Sequence, residues 1–224
     1  MPQRTGGLAR AALVVFFMAT MALPASASID LEKLRFPQET DKTDFQSTFG
    51  HARSGGRRHK GNDLMAPKMT EVFAIAPGVV SFVRTAGLGG RYLGIDHGEG
   101  WESYYMHLNN DTPGTDNGRA DWSYSVAPGI VVGSAVEAGQ LIAWVGDSGN
   151  AEWTGSHTHF ELHHQGRAIN PYPYLIAAWE RDEAERQATE LWDSFANCWR
   201  TSTMECAERR PAPPRARPSP SLGG

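Results

Sequence analysis

The chain has 224 residues and a formal charge of −4, enough for one sizeable domain of about 180 residues with terminal extensions. Its 24 Gly and 14 Pro favour a turn-rich, mainly β architecture over a helical bundle. The charge is uneven: residues 1–27 and 209–224 hold six Arg and no acid, so residues 28–208 carry 15 basic against 25 acidic side chains, a balance that excludes nucleic acid as the expected partner.

Residues 1–27 have the form of a signal peptide. Arg4 and Arg10 supply the charge, Ala11–Leu23 the apolar run, and Pro24-Ala25-Ser26-Ala27 the break with an Ala-x-Ala cleavage site. The run is short for a spanning helix, which needs about 20 residues. The expectation is export to the periplasm or the exterior, with no stable membrane insertion after cleavage. Residues 28–48 form a polar lead-in with little periodicity, followed by a Gly- and Arg-rich loop, Phe49–Arg58.

Short β-rich runs come next. Glu71–Ala76 and Val79–Arg84 flank Pro77-Gly78 in a hairpin-like pattern, and Arg91–His97 and Trp101–Leu108 alternate again. Asn109–Tyr124 lacks periodicity and is dense in Asn, Asp, Gly and Thr, which makes it a long surface loop. Its Asp111, Asp116 and Asp121 match no EF-hand spacing and are expected to be solvated acids. Gly129–Val132 and Gln140–Val145 continue the strand pattern. Tyr174–Arg200 then turns helical, with Leu175, Trp179, Ala188, Leu191, Trp192, Phe195 and Trp199 as the expected core stripe. Cys198 and Cys206 are the two cysteines, and in an exported chain they are expected to form a disulfide stapling the helix end. Residues 209–224, rich in Pro, Arg and Ser, are expected to be disordered.

Chemistry concentrates in three places. His157-x-His159 is the clearest: on a strand both imidazoles project from one face, with Phe160 and Leu162 on the other. Neutral imidazole is the commonest protein metal ligand. Upstream stand His59-x-x-x-Asp63 and Tyr105-Met106-His107-Leu108. Strand geometry alone puts His157 and His159 on the same side and does not separate ligand from catalyst.

In this order, with Phe49-Gly50, Ala74-x-Ala76-x-Gly78-x-Val80, His97-x-x-Gly100, Gly139-Gln140, Gly146-x-Ser148-Gly149 and Asn170-Pro171, the motifs resemble the lysostaphin-type (LytM-like) zinc metallopeptidases, whose usual substrate is peptidoglycan. The resemblance covers roughly residues 45–175. It implies antiparallel β-sheets forming a groove domain over 49–175; the helical extension over 176–208 lies outside it and is expected from its own pattern to pack on that domain. It also implies one zinc ion held by His59, Asp63 and His159, with His107 and His157 as catalytic histidines. Two His and one carboxylate leave zinc's fourth position open, as catalysis requires. His97 recurs in the pattern with an expected structural role. Because it follows His107, the 109–124 loop is expected to wall the groove, with Trp122 and Tyr124, together with Tyr105, contacting substrate. The implied function is an exported zinc endopeptidase acting on peptidoglycan peptides. The alternatives are a metalloprotease acting on other proteins and a non-catalytic wall-binding or regulatory module.

Overall fold

Alternating apolar and polar side chains lay down the strands of this protein, and the computed structural model describes them within residues 29–201. The expected signal peptide, the 209–224 tail and Cys206, and with it the expected bridge to Cys198, lie outside those residues. In chain order the strands are β1 (Asp44–Phe45), β2 (Asn62–Met65), β3 (Glu71–Phe73), β4 (Gly78–Ala86), β5 (Gly90–Gly98), β6 (Trp101–Leu108), β7 (Ala135–Val136), β8 (Leu141–Trp144), β9 (His157–His164) and β10 (Arg167–Ile169). Helix α1 follows, over Tyr172–Thr201.

The strands form one large antiparallel sheet in the order β1-β2-β9-β6-β5-β4-β7, with β10 on β9, and a small sheet of β3 and β8. The mainly β fold with a C-terminal helix is as expected. The hairpin across Pro77-Gly78 is not: β3 pairs with β8, while β4 runs beside β5 and β7. A nine-residue β4 finds a longer partner in the nine-residue β5, which satisfies more backbone groups than the three-residue β3 could. Gly129–Val132 forms no strand, and Val131 and Val132 stay exposed.

Phe160 and Leu162 of β9 are fully buried with Leu64, Leu93, Ile95 and Tyr105. Fully burying one such apolar side chain contributes roughly 1.5–3 kcal/mol, so the face of β9 opposite the histidines is strongly fixed. Gly61 lets β2 close on it. A Cβ there would lie 2.1 Å from the Phe160 carbonyl oxygen, so only glycine allows the approach that sets Asp63 opposite His159.

The lead-in is more than a polar connector. Leu34, Phe36 and Phe45 are core residues, and the segment clasps α1: the Phe36 amide donates to Asp182 at 2.6 Å, and Arg35 pairs with Glu185 at 2.6 Å. Helix α1 buries Leu175, Ala178 and Trp179. The expected stripe ends there, since Ala188, Trp192 and Phe195 face solvent. Leu191 is half-buried, and the side chain of Trp199 lies outside the described residues.

Candidate metal centre and cleft

Strand register assembles the centre. His159 on β9 stands directly opposite Asp63 on β2 and Met106 on β6, while His59 arrives from the loop before β2. Three ligand atoms converge: His59 Nε2 to Asp63 Oδ1 is 3.0 Å, His59 Nε2 to His159 Nδ1 is 2.9 Å, and His159 Nδ1 to Asp63 Oδ1 is 2.9 Å.

The other nitrogen of each ring decides what those atoms are. His59 Nδ1 donates to the Thr48 carbonyl at 2.9 Å, and His159 Nε2 donates to Glu161 Oε1 at 3.0 Å. The neutral rings therefore turn lone pairs, from His59 Nε2 and His159 Nδ1, toward Asp63 Oδ1. Three acceptors packed this closely repel one another unless a cation lies among them. Imidazoles whose far N–H is held by a carbonyl or carboxylate are the usual form of metal-binding histidine. The donor set fits a divalent metal such as zinc.

The electrostatics agree. Burial by itself would raise the Asp63 carboxyl, but positive charge on the neighbouring His159 and His59 rings, which bond it when protonated, outweighs burial and holds the group well below the carboxylate range. Burial likewise opposes ionisation of Glu161, yet its bonds to His159 and His163 bring it down to about 2. His159 is buried, which disfavours its charge, but Asp63 and Glu161 raise its basicity overall. Two ionised carboxylates thus make this a place that favours positive charge. The guanidinium of Arg53 also bonds Asp63, at Oδ2, the oxygen outside the triad.

His107 and His157 stand beside the triad, with ring centroids 4.9 Å apart. His157 Nδ1 donates to the Gly155 carbonyl at 2.7 Å, and His107 Nδ1 to the Ser148 carbonyl at 2.8 Å. Each ring therefore keeps Nε2 as its basic nitrogen, and that of His157 lies 3.8 Å from Asp63 Oδ1. Burial, then the neighbouring His157, pushes His107 down to about 4. All five groups line one open cleft of about 660 Å³.

His107 reaches that cleft by a backbone device. Ser103 and Tyr105 of β6 point into the core, and strict alternation would send His107 after them. Its φ of 60° breaks the alternation and turns the ring onto the cleft side. A positive φ outside glycine is uncommon and costs about 1–3 kcal/mol where the surroundings enforce it.

Tyr105 itself corrects the sequence reading. It is fully buried and offers no surface to the cleft; its hydroxyl accepts from the Ile75 amide at 2.8 Å and from Ser103 at 3.1 Å. His97 joins the same chain through Ser103 at 2.8 Å, a structural role as expected. Trp122 and Tyr124 are half-exposed, but neither they nor any other residue of 109–124 lines the cleft. Trp122 instead lies under the Arg91 guanidinium, 5.0 Å away. Asn150, Ala151, Thr154 and Gly155 form the wall that this loop was expected to supply.

The loop is also pinned. Lys68 reaches Asp111 at 2.6 Å, Asp116 at 2.9 Å and Asp147 at 2.7 Å. Asp111 is accordingly buried rather than solvated, with an ammonium group supplying the positive charge. Glu161 is the site residue that sequence reasoning passed over. Its parity with His157 and His159 was the available signal, since all three share one face of β9.

Residues 57–118 match the family model described as Peptidase family M23. The chain carries a peptidase family M23 domain. It is 35% identical over 116 residues to an uncharacterized metalloprotease of Haemophilus influenzae, covering 51% of this chain and 20% of the relative. Over 176 residues it is 34% identical to an L-Ala--D-Glu endopeptidase of Bacillus subtilis, 73% of this chain and 49% of that one. Among solved structures it is similar to the antimicrobial peptidase lysostaphin from Staphylococcus simulans, with a TM-score of 0.50 and 25% identity across 66% of this chain and 55% of that one. The chain thus spans from a fifth to about half of the curated relatives it matches.

Proposed function

We propose that this protein is an exported zinc-dependent endopeptidase that hydrolyses peptide bonds in peptidoglycan stems or cross-bridges. The carrying observation is the convergence of His59 Nε2, Asp63 Oδ1 and His159 Nδ1 within 3.0 Å of one another, beside His107 and His157. The family supports peptidase activity, and the relative named as an L-Ala--D-Glu endopeptidase supports a peptidoglycan peptide as substrate. The charged n-region, apolar run and Ala-x-Ala site support export.

His59, Asp63 and His159 would hold the metal, which when bound acidifies water and polarises a scissile carbonyl. The rest of the chemistry belongs to this chain's own side chains. The open cleft accepts a peptide in extended form. One of the two free imidazole Nε2 atoms takes the proton from the attacking water and returns it to the leaving amine nitrogen as the C–N bond breaks. The other, once protonated at Nε2, donates a hydrogen bond to the oxygen on which charge develops. The Ser148 and Gly155 carbonyls accept from Nδ1 of the two rings and so leave Nε2 of each free for this chemistry.

Digestion of purified peptidoglycan by the zinc-loaded protein, with mass analysis of the fragments, tests the reading. New amino termini at one stem or cross-bridge position are expected. Intact peptidoglycan alongside cleavage of unrelated proteins would replace it with a general metalloprotease, and no cleavage of either would leave a non-catalytic module.

A further inference from the structure

One wall of the cleft is positively charged in a protein whose body is acidic. Arg53, Arg57, Arg58 and Lys60 all line it and all are exposed. They lie on a built hairpin rather than a loose loop. The Gly50 amide donates to the His59 carbonyl at 2.8 Å, the Arg53 amide to the Arg57 carbonyl at 2.9 Å, and Ala52 bridges Arg58. The turn at Ser54–Gly56 sets the arginines on its two arms.

Elsewhere in the described residues, some cations find acids and others, Arg84, Arg91 and Arg181 among them, are held by rings, carbonyls or hydroxyls. Lys33 pairs with Asp30, Lys42 with Glu39, Arg35 with Glu185, and Arg186 with Glu183 and Glu190. On the cleft wall Arg53 pairs with Asp63, and the other three cations have no acid. Arg57 bonds Ser54, through its carbonyl at 3.1 Å and its hydroxyl at 3.4 Å, and Arg58 bonds the Gly50 carbonyl at 3.1 Å. Among the described residues neither these two nor Lys60 has a carboxylate partner. The cleft's own acids are already engaged, Asp63 by Arg53 and the imidazoles, Glu161 by His159 and His163. Three exposed cations without acids gathered on one wall of the cleft, in a body carrying ten more acids than bases over residues 28–208, mark that wall as a docking surface for negative charge.

We infer that Arg57, Arg58 and Lys60 form a carboxylate-recognising subsite that selects acidic peptides bearing a free side-chain or terminal carboxylate near the scissile bond. A guanidinium offers a planar, two-pronged donor set that matches a carboxylate. The inference deepens the peptidase reading and rests on it for the identity of the cleft, but binding tests it separately from hydrolysis.

The test uses two synthetic stem peptides that differ only in whether the glutamyl carboxylate is free or amidated. Their binding to the full chain is titrated by calorimetry, without added zinc, at low and at physiological salt. The acidic peptide should bind roughly three- to tenfold more tightly at low salt, the range for a few exposed ion pairs. That margin should shrink as the screening length falls to about 8 Å at 0.15 M. Arg57→Gln/Arg58→Gln should erase the margin, and Arg57→Lys/Arg58→Lys should keep most of it. Equal affinity for the two peptides in the wild type, or an unchanged margin in the glutamine double variant, overturns the subsite. If that double variant does not fold, Lys60→Gln and the wild-type salt dependence carry the same decision. Hydrolysis by zinc-loaded wild type is read in parallel: absence of cleavage sinks the peptidase reading while the binding ratio still judges the wall.

Discussion

The two ends of β9 carry the same residue type, and one end gathers a metal-type site while the other does not. His157 and His159 lie at the start of the strand, His163 and His164 at its end. Their difference comes from the neighbours. Over residues 157–160 the strand is edged by β2, which brings Asp63 opposite His159. Over 162–164 the edge belongs to β10, which offers Ala168 opposite His163. His163 lies against the Tyr104 ring at 4.4 Å and bonds Glu161 at 2.6 Å, and His164 stacks on Trp101 at 4.3 Å. A histidine becomes a candidate ligand here when the adjacent strand delivers a second acceptor to its lone pair. Where the adjacent residue is apolar or aromatic, the ring packs.

The largest effect should follow from removing that delivered acceptor. Asp63→Ala and His159→Ala each delete one of three protein donors. Structural zinc sites bind with about 10–16 kcal/mol over four ligands, so one ligand is worth roughly 3 kcal/mol, a hundredfold or more in affinity. Zinc content of the purified variants should collapse, and peptidoglycan hydrolysis with it. Stoichiometric zinc in Asp63→Ala would break the comparison at its first step.

His107→Ala and His157→Ala sharpen it. Both rings border the triad without belonging to it, so zinc should remain near one ion per chain. Rates should fall about 10²–10⁴-fold, the range for losing a positioned acid–base group. Metal analysis beside hydrolysis rates separates the roles. Zinc loss in His157→Ala with retention in His159→Ala would exchange the two assignments.

How much of this was legible in the sequence follows from what is local. Period-two alternation reads His157 and His159 onto one face and Phe160 and Leu162 onto the other, and the structure keeps that division. The strands at Arg91–His97 and Trp101–Leu108 are readable for the same reason. Alternation misled where the backbone departs from it. Tyr105 faces the core while His107, two residues on, faces the cleft, because a positive φ intervenes that no side-chain pattern announces. Long-range partners were also invisible. Lys68 is one residue in a turn by sequence, yet it ties Asp111 and Asp147 together and makes the 109–124 loop a pinned element. Leu34 and Phe36 looked incidental in a polar lead-in, and only the approach of α1 explains their burial.

A smaller effect is expected from the residue that joins the two ends of β9. Glu161 accepts from His159 at 3.0 Å through one oxygen and from His163 at 2.6 Å through the other. Glu161→Gln keeps the shape but removes the charge that fixes the His159 tautomer and strengthens its lone pair. Zinc affinity should fall about 10- to 100-fold, as for other partners of metal-binding histidines, with the bound form still active. Competition against a chelator of known affinity measures it. Unchanged affinity would mean that Asp63 and His59 orient His159 without help.

The smallest effect belongs to the far end and tests the comparison from the other side. His164 stands directly opposite Trp101 across the β9–β6 pairing, with the rings inclined by 25°. Trp101 in turn meets Tyr174 of α1 edge-on at 6.2 Å, so the contact helps seat the helix on the sheet. His164→Ala should cost about 0.5–1.5 kcal/mol, the worth of an aromatic pair beyond its buried area. For a domain of this size that is a fall in Tm of roughly 1–6 °C. Zinc affinity and hydrolysis rate should stay at wild-type values, because no atom of His164 faces Asp63, His59 or the cleft wall. Thermal melting of the variant, read beside its zinc affinity, decides the point. If His164→Ala lost zinc tenfold while melting normally, the centre would depend on the whole of β9, and the strand lying beside each histidine would not be what sets its role.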